Sequence, residues 1–317
     1  MRDMTEKIIM PAVADELTEH YLTKQGFEVL TVDNPDEENI LATAPDAAAV
    51  MMISNKIPNS MYDKMPNLKV LARRGVGYDN IDVNFAAKKG IWVTNTPGAN
   101  AVSVAEAAVL DIMLLARKFD PISKKLRAGD WTGGYHIMGH DLIGATVGIV
   151  GFGHIGQAVA KILSSFGVKI LIYNRTHYET DYGEYVDWDT LFKTADFVSL
   201  HLAAVPETKE IVNAQTLALM KPTASLINLA RGAIVDEGAL VDALKSKKLA
   251  GAALDVYQHE PITADNPLLA LDNVFVTPHV GSNTVESNQR MAMGAVKMIE
   301  QVLRGQTPQW AVNEPKL

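Results

Sequence analysis

Three ionisable residues follow apolar, strand-like runs: Arg231 in SLINLARGAIVDE, Glu260 in ALDVYQHEP and His279 in VFVTPHVGS. Strand carboxyl ends are where open α/β sheets bind ligands. The three side-chain types complement one another. A guanidinium fork grips a carboxylate or carbonyl through paired N–H donors. An imidazole exchanges a proton near neutral pH. A carboxylate beside that ring orients it and favours its charged form. The set suits reduction of a 2-keto acid. Arg231 would hold the carboxylate and carbonyl, His279 would protonate the oxygen as a hydride reaches the carbon, and Glu260 would steady His279. Taken singly, each has a plain structural reading: an ion pair, a loop glutamate, a histidine capping a strand. Only the combination points to chemistry.

A hydride needs a carrier. Gly151-Phe152-Gly153-His154-Ile155-Gly156 is a G-x-G-x-x-G run between an apolar strand and an amphipathic helix, the context in which that pattern binds dinucleotides. Gly151 permits the tight turn, Gly153 lets backbone approach a pyrophosphate, and Gly156 allows close helix–strand packing. The N–H groups of His154 and Ile155 would face the phosphates at the helix N-terminus. The following strand, 169–173, ends in Asn174-Arg175-Thr176, where an acid usually contacts the ribose of NAD. Asn174 cannot repel a 2′-phosphate, Arg175 can pair with one, and Thr176 offers a hydroxyl. One charge pair at about 4 Å is worth up to about 4 kcal/mol at an effective dielectric of 20, less when exposed. The residue types favour NADP(H). With Arg175 as a merely solvated loop arginine, NAD(H) would serve as well.

The elements that must carry these residues can be read from pattern. Strands are expected at 8–10, 28–32, 49–53, 69–72 and 91–94, then at 169–173, 197–200, 225–228, 250–254 and 274–277. Helices are expected at 14–25, 81–89, 101–117 and 283–304, and between most of the strands from 169 to 277. Strand–helix alternation implies parallel sheets covered on both faces. The predicted fold is α/β, with two doubly wound, Rossmann-like domains and a cleft between them. Residues 1–98 plus 285–317 would form a discontinuous substrate domain, and 99–284 the dinucleotide-binding domain. The helices near 100 and 290 would act as hinges. Residues 127–144 read as a loop or arm. Of the 317 residues, 48 % are hydrophobic and 21 % charged, and the net charge is 29 − 37 = −8. That profile fits a globular protein with real cores, and disfavours nucleic acid or an anionic membrane as partner. The absence of cysteine excludes disulfides, thiolate metal sites and thiol nucleophiles. No signal peptide or run of about 18 apolar residues occurs, so a cytoplasmic enzyme is expected.

Seven ordered segments carry a resemblance: RRGVGYDNIDV (73–83), VTNTPGANAVSVAE (93–106), GIVGFGHIG (148–156), HLAAVPETK (201–209), INLARGAIVDE (227–237), AALDVYQHEP (252–261) and TPHVGS (277–282). Over essentially its whole length the chain resembles the D-isomer-specific 2-hydroxyacid dehydrogenases. The resemblance implies the catalytic set Arg231, Glu260 and His279. It implies that the turn Gly75-Val76-Gly77 binds the substrate carboxylate through the N–H groups of Val76 and Gly77. Val104, Ala230, Asp255 and Gly281 would lie near the nicotinamide half of the cofactor, and His201, Ala203 and Pro206 beside the adenine half. A homodimer joined through the dinucleotide-binding domain is implied, with 101–117 and 128–144 as contacts. The missing acid at 174 resembles the NADP(H)-preferring glyoxylate and hydroxypyruvate reductases. It speaks against the dedicated D-lactate dehydrogenases. The chain ends near its last helix, without the added regulatory domain of longer phosphoglycerate dehydrogenases.

Rival readings are an NADH-dependent lactate- or phosphoglycerate-type dehydrogenase, a nucleotide-sensing corepressor-like binding protein, and a dehydrogenase of the same fold acting on formate or phosphite. The three-residue set fits a keto acid better than formate. His136 and His140 lie four apart beside Gly139 in a loop-like setting, and no metal is expected there. Trp131 and Tyr135 read as packing within an arm. Met51 and Met52 read as core or as part of a pocket wall.

Overall fold

The computed structural model describes residues 5–12 and 16–315. The chain divides into two compact units. One runs up to Asn100 and resumes at Asn283; the other is Ala101–Ser282.

The first unit contains β1 (Lys7–Pro11), α1 (Glu16–Lys24), β2 (Glu28–Val32), α2 (Glu37–Thr43), β3 (Ala49–Met52), β4 (Val70–Arg73), α3 (Val83–Lys88) and β5 (Trp92–Thr94). Its strands pair in parallel in the order β2-β1-β3-β4-β5. This is one of the two common doubly wound orders, with a topological switch at β1/β3. Gly26 and Gly90 take positive φ, 91° and 78°, a conformation glycine adopts without a Cβ penalty, and so end the helices before them. The start of the helix expected from Ala14, namely Ala14 and Asp15, lies outside the described residues.

The second unit contains α4 (Ala101–Arg117), α5 (Phe119–Arg127), β6 (Thr146–Val150), α6 (His154–Leu163), β7 (Lys169–Tyr173), β8 (Glu184–Tyr185), α7 (Trp188–Thr194), β9 (Phe197–Leu200), α8 (Ala214–Leu219), β10 (Ser225–Asn228), α9 (Glu237–Lys245), β11 (Gly251–Leu254) and β12 (Val274–Val276). The last helix, α10 (Val285–Leu303), returns to the first unit. The strand order is β12-β11-β10-β9-β6-β7-β8. Counted from β6, its first six strands follow the dinucleotide-binding order 3-2-1-4-5-6, with a seventh strand added at the edge. The chain turns back between β6 and β9, so ligand-binding loops belong at the carboxyl ends of those strands.

Both sheets are buried on both faces, which is why their strands read as continuous apolar runs. Along β10 and β11, Leu226, Ala252 and Leu254 enter one core, while Ile227 and Ala253 enter the core on the opposite face. In the first sheet, Ile9 faces one core and Ile8 and Met10 the other, where α10 supplies Ala295, Val296 and Ile299. Each fully buried Ile or Leu contributes about 1.5–3 kcal/mol. The expected pair of doubly wound parallel α/β domains is what forms. Three elements were not expected: α2, α5 and the two-residue β8. The nine residues of α5 include none that is buried, so its sequence carries no core-facing stripe.

Candidate active site

The glycine turn is shaped by close backbone approach. Gly151 has φ +95°, and a Cβ there would stand 2.6 Å from the His201 carbonyl oxygen. A Cβ on Gly156 would stand 2.1 Å from the Gly151 carbonyl oxygen. Gly153 differs: a Cβ there would meet nothing within 4 Å, so its missing side chain leaves open space beside the turn. Directly after it, α6 begins at His154. The first N–H groups of a helix have no intrahelical partner, and that end carries the positive pole of the helix dipole. An open cradle lined by these donors fits a pyrophosphate.

Asn174 shapes this turn from the end of β7. Its Oδ1 accepts the Phe152 N–H at 3.0 Å, and its Nδ2 donates to the Thr176 carbonyl at 2.5 Å. Arg175 and Thr176 are exposed, and neither the guanidinium nor the hydroxyl is engaged by another group among the described residues. Tyr185 holds the rest of the loop. Its hydroxyl accepts the Tyr178 N–H at 2.9 Å, and its ring stacks on His177 with centroids 4.1 Å apart.

His201 follows β9 at the switch point. Its N–H donates to the Val150 carbonyl at 2.7 Å, and its Nε2 lies 2.9 Å from Ser199 Oγ. Burial pushes its imidazole down to about 4, so the ring is neutral at physiological pH. Ala203 accepts the Thr208 hydroxyl through its carbonyl at 2.6 Å, and Pro206 opens the single turn Pro206–Thr208.

The three ionisable residues named from sequence come together. After β10, Asn228 braces the next loop: its Oδ1 accepts the Ala230 N–H, and its Nδ2 donates to the Arg231 carbonyl, both at 3.0 Å. Arg231 Nη1 donates to the Ala230 carbonyl at 2.7 Å. Gly232, which the sequence did not single out, brings this loop against the next one. A Cβ there would stand 1.9 Å from the Tyr257 backbone, so only glycine lets the 257–258 segment pass. Glu260 Oε1 then accepts the Tyr257 N–H at 3.0 Å, and Oε2 lies 2.7 Å from His279 Nδ1. Burial alone would raise the Glu260 carboxyl. The His279 and Tyr257 hydrogen bonds, with the charges of His279 and Arg231, outweigh it and hold the carboxyl below its ordinary value. His279 Nε2 makes no hydrogen bond among the described residues.

His279 occupies a left-handed backbone conformation, φ 55°. A non-glycine residue there is strained and persists where its surroundings over-determine it. Asp255, just past β11, supplies those surroundings. Its carbonyl accepts the His279 N–H at 2.8 Å. Its Oδ1 accepts the Thr277 hydroxyl at 2.5 Å and the Val280 N–H at 2.8 Å, and its Oδ2 accepts the Gly281 N–H at 2.7 Å. Val104 is buried on α4, and a Cβ on Gly281 would stand 3.0 Å from Asp255 Oδ2.

In the first unit, Gly75-Val76-Gly77 follows β4. The Gly75 carbonyl accepts the Thr96 N–H at 2.9 Å, and the Val76 carbonyl accepts Asn95 Nδ2 at 2.8 Å. Neither bracing residue was singled out from sequence, although both stand in the turn cluster NTPG. With the carbonyls fixed, the N–H groups of Val76 and Gly77 remain without a partner among the described residues. No group of three or more His, Asp or Glu able to hold a metal ion occurs among them either.

The chain is similar to known proteins in sequence and in structure. Residues 109–281 match the NAD binding domain of the D-isomer specific 2-hydroxyacid dehydrogenases. A glyoxylate reductase from Thermofilum pendens is 43 % identical over 292 residues, covering 89 % of this chain and 86 % of that protein. A hydroxypyruvate reductase from Thermotoga maritima is 40 % identical over 90 % of this chain and 94 % of its own. The crystal structure of an NADPH-dependent glyoxylate/hydroxypyruvate reductase from Sinorhizobium meliloti, in complex with NADP and malonate, superposes with a TM-score of 0.86. It is 32 % identical and covers 98 % of this chain and 97 % of that one. With its two parallel α/β units, its glycine turn and this match in sequence and structure, the chain belongs to the D-isomer-specific 2-hydroxyacid dehydrogenase family.

Proposed function

We propose that the protein is an NADPH-preferring reductase that converts a 2-keto acid to a D-2-hydroxy acid. The observation that carries this reading is the hydrogen-bonded pair His279–Glu260, within reach of the Arg231 charge and at the carboxyl end of a dinucleotide-binding sheet. The N–H groups of Val76 and Gly77 hold the substrate carboxylate, and Arg231 holds the carboxylate and the keto oxygen. When bound, the reduced nicotinamide supplies a hydride. As the carbonyl carbon takes that hydride, the C=O π bond opens onto oxygen, and His279 gives its Nε2 proton to that oxygen. Glu260 fixes the ring through Nδ1, which leaves Nε2 as the nitrogen that donates. In the oxidative direction the same nitrogen takes the proton back.

The glycine turn and the first N–H groups of α6 hold the pyrophosphate. Arg175 and Thr176 take the 2′-phosphate, and Asn174 orders the loop that presents them. Val104, Ala230, Asp255 and Gly281 serve the nicotinamide half, and His201, Ala203 and Pro206 the adenine half. The relatives named glyoxylate and hydroxypyruvate reductase make small keto acids the first substrates to try. Hydroxypyruvate with NADPH is expected to yield D-glycerate, read by chiral chromatography. L-glycerate would overturn the stereochemical assignment, and no product would overturn the activity.

Exposed apolar side chains on α4 and the following segment, including Leu110, Phe119, Leu126, Trp131 and Met138, support pairing with a second copy through the second unit. A single-chain mass in sedimentation equilibrium would sink that assignment. No helix among the described residues is long and apolar enough to cross a membrane.

A further inference from the structure

Arg74 stands between β4 and the Gly75-Val76-Gly77 turn, and it is only 8 % exposed. Its backbone is fixed on both sides. The N–H donates to the Met52 carbonyl at 2.8 Å, and the carbonyl accepts Arg73 Nη1 at 2.6 Å. Arg73 reaches that carbonyl by lying against Gly75, where a Cβ would stand 2.8 Å from the same nitrogen. The Arg74 side chain is fixed as well: Nη2 donates at 2.7 Å to Oδ1 of Asn288, in the first turn of α10. Turn and guanidinium are thus held in one frame. Two residues span at most about 7 Å, so the Arg74 and Val76 backbones are close neighbours.

The surroundings of that guanidinium hold no counter-ion. Asn288 is a neutral amide whose Nδ2 donates to Asn283 Oδ1 at 3.0 Å. Val70 and Ala72, at alternate positions before Arg74, face the apolar core shared with α10. Thr96, whose N–H donates to the Gly75 carbonyl, and Ser287, next to Asn288, are wholly buried and carry only hydroxyls. Glu286, the acid in the first turn of α10, is exposed. No ion pair engages Arg74 among the described residues, and its Nε meets neither solvent nor a partner. That end of α10 carries the positive pole of the helix dipole, which offsets none of the charge. Burial pulls the Arg74 pKa below its ordinary value with no acid to raise it again, and the guanidinium stays charged at working pH. A buried cation without a counter-ion is costly. The adjoining turn offers the N–H groups of Val76 and Gly77, both without a partner. An anion seated there supplies the missing negative charge.

We propose that Arg74 is a positioning residue for the substrate: its buried charge, unpaired within the chain, draws the substrate carboxylate onto the N–H groups of Val76 and Gly77. The inference rests on that turn as the carboxylate site. It makes the keto acid's own charge part of the fold's electrostatic balance, and it makes Arg74 a determinant of affinity for anionic substrates over neutral carbonyl compounds. At about 10 Å and an effective dielectric of about 20, one charge changes the binding of a monoanion roughly 10-fold.

The test uses the full chain and the variants Arg74→Met, which keeps an apolar stem without the charge, and Arg74→Lys, which keeps the charge. In Arg74→Met the KM for glyoxylate should rise roughly 10-fold, while kcat and the KM for NADPH stay within a few-fold of the wild type. Arg74→Lys should recover most of the loss. Inhibition by oxamate and oxalate separates a field from a brace. Oxalate carries two charges and should lose affinity by a larger factor than oxamate, which carries one. Thermal melting gives a second readout: Arg74→Met should melt no lower than the wild type, because it removes a buried charge that has no counter-ion. If it folds poorly, Arg74→Gln, which can still donate to Asn288, should show the same inhibition pattern. Unchanged affinity for both inhibitors in a folded variant would overturn the proposal. So would equal losses for the two inhibitors together with a lower melting temperature, the pattern of a structural brace. Wild-type protein that binds neither inhibitor and reduces no keto acid would instead overturn the reading of the turn on which the proposal rests.

Discussion

His279→Ala should bind NADPH as the wild type does while its kcat for keto acid reduction falls roughly 10³-fold. The fall is large because no other side chain at the site replaces the lost proton. Glu260 is held in its ionised form by the groups around it. Nucleotide binding is spared because the glycine turn and the loop after β7 draw none of their bracing from His279. The left-handed backbone at His279 makes alanine strained there. Asparagine tolerates that conformation better, so His279→Asn is the companion variant, with the same expected loss. Calorimetry for binding and initial rates for turnover check both. A variant that binds and turns over normally would remove His279 from the chemistry.

Cofactor choice should change by a similar route at the end of β7. Arg175→Ala should lower kcat/KM for NADPH roughly 10- to 100-fold, with little effect on NADH. A hydrogen bond to a charged group is worth about 1.5–3 kcal/mol, and exposure keeps the loss toward the lower end. Asn174→Asp should reinforce the switch. Aspartate still accepts the Phe152 N–H through one oxygen, so the glycine turn keeps its brace. It loses the bond to the Thr176 carbonyl and adds a charge that repels a 2′-phosphate and accepts from a ribose hydroxyl. The double variant should prefer NADH. An unchanged ratio of kcat/KM for the two cofactors would show that the 2′-phosphate is held elsewhere.

Residues that do chemistry were easier to find in the sequence than residues that hold them. Arg231, Glu260 and His279 each follow an apolar run, and the topology brings runs of that kind to one sheet end; their convergence was therefore legible. The glycine turn was legible for the same reason, since strand, glycines and helix are contiguous. The supports were not. Gly232 matters because a distant backbone segment crosses it, and Asp255 clamps residues 22–26 positions further on. Such contacts have no local period to betray them. Asn174 stood out only as a missing acid, whereas its two amide atoms tie the glycine turn to the next loop. Asp111 stands among the apolar residues of α4, and nothing in that local pattern tells that it is buried. Short elements escaped for a different reason: β8 has two residues, too few to show alternation, and α5 buries none.

The most direct test of the central claim is the initial rate of reduced-nicotinamide oxidation by the wild-type protein, with NADPH and NADH side by side. Glyoxylate, hydroxypyruvate, pyruvate and phenylpyruvate are the substrates to compare. A higher kcat/KM with NADPH on at least one of these keto acids is the predicted result. A preference for NADH would contradict the role given to Arg175 and Thr176, and no oxidation of either cofactor would contradict the activity itself.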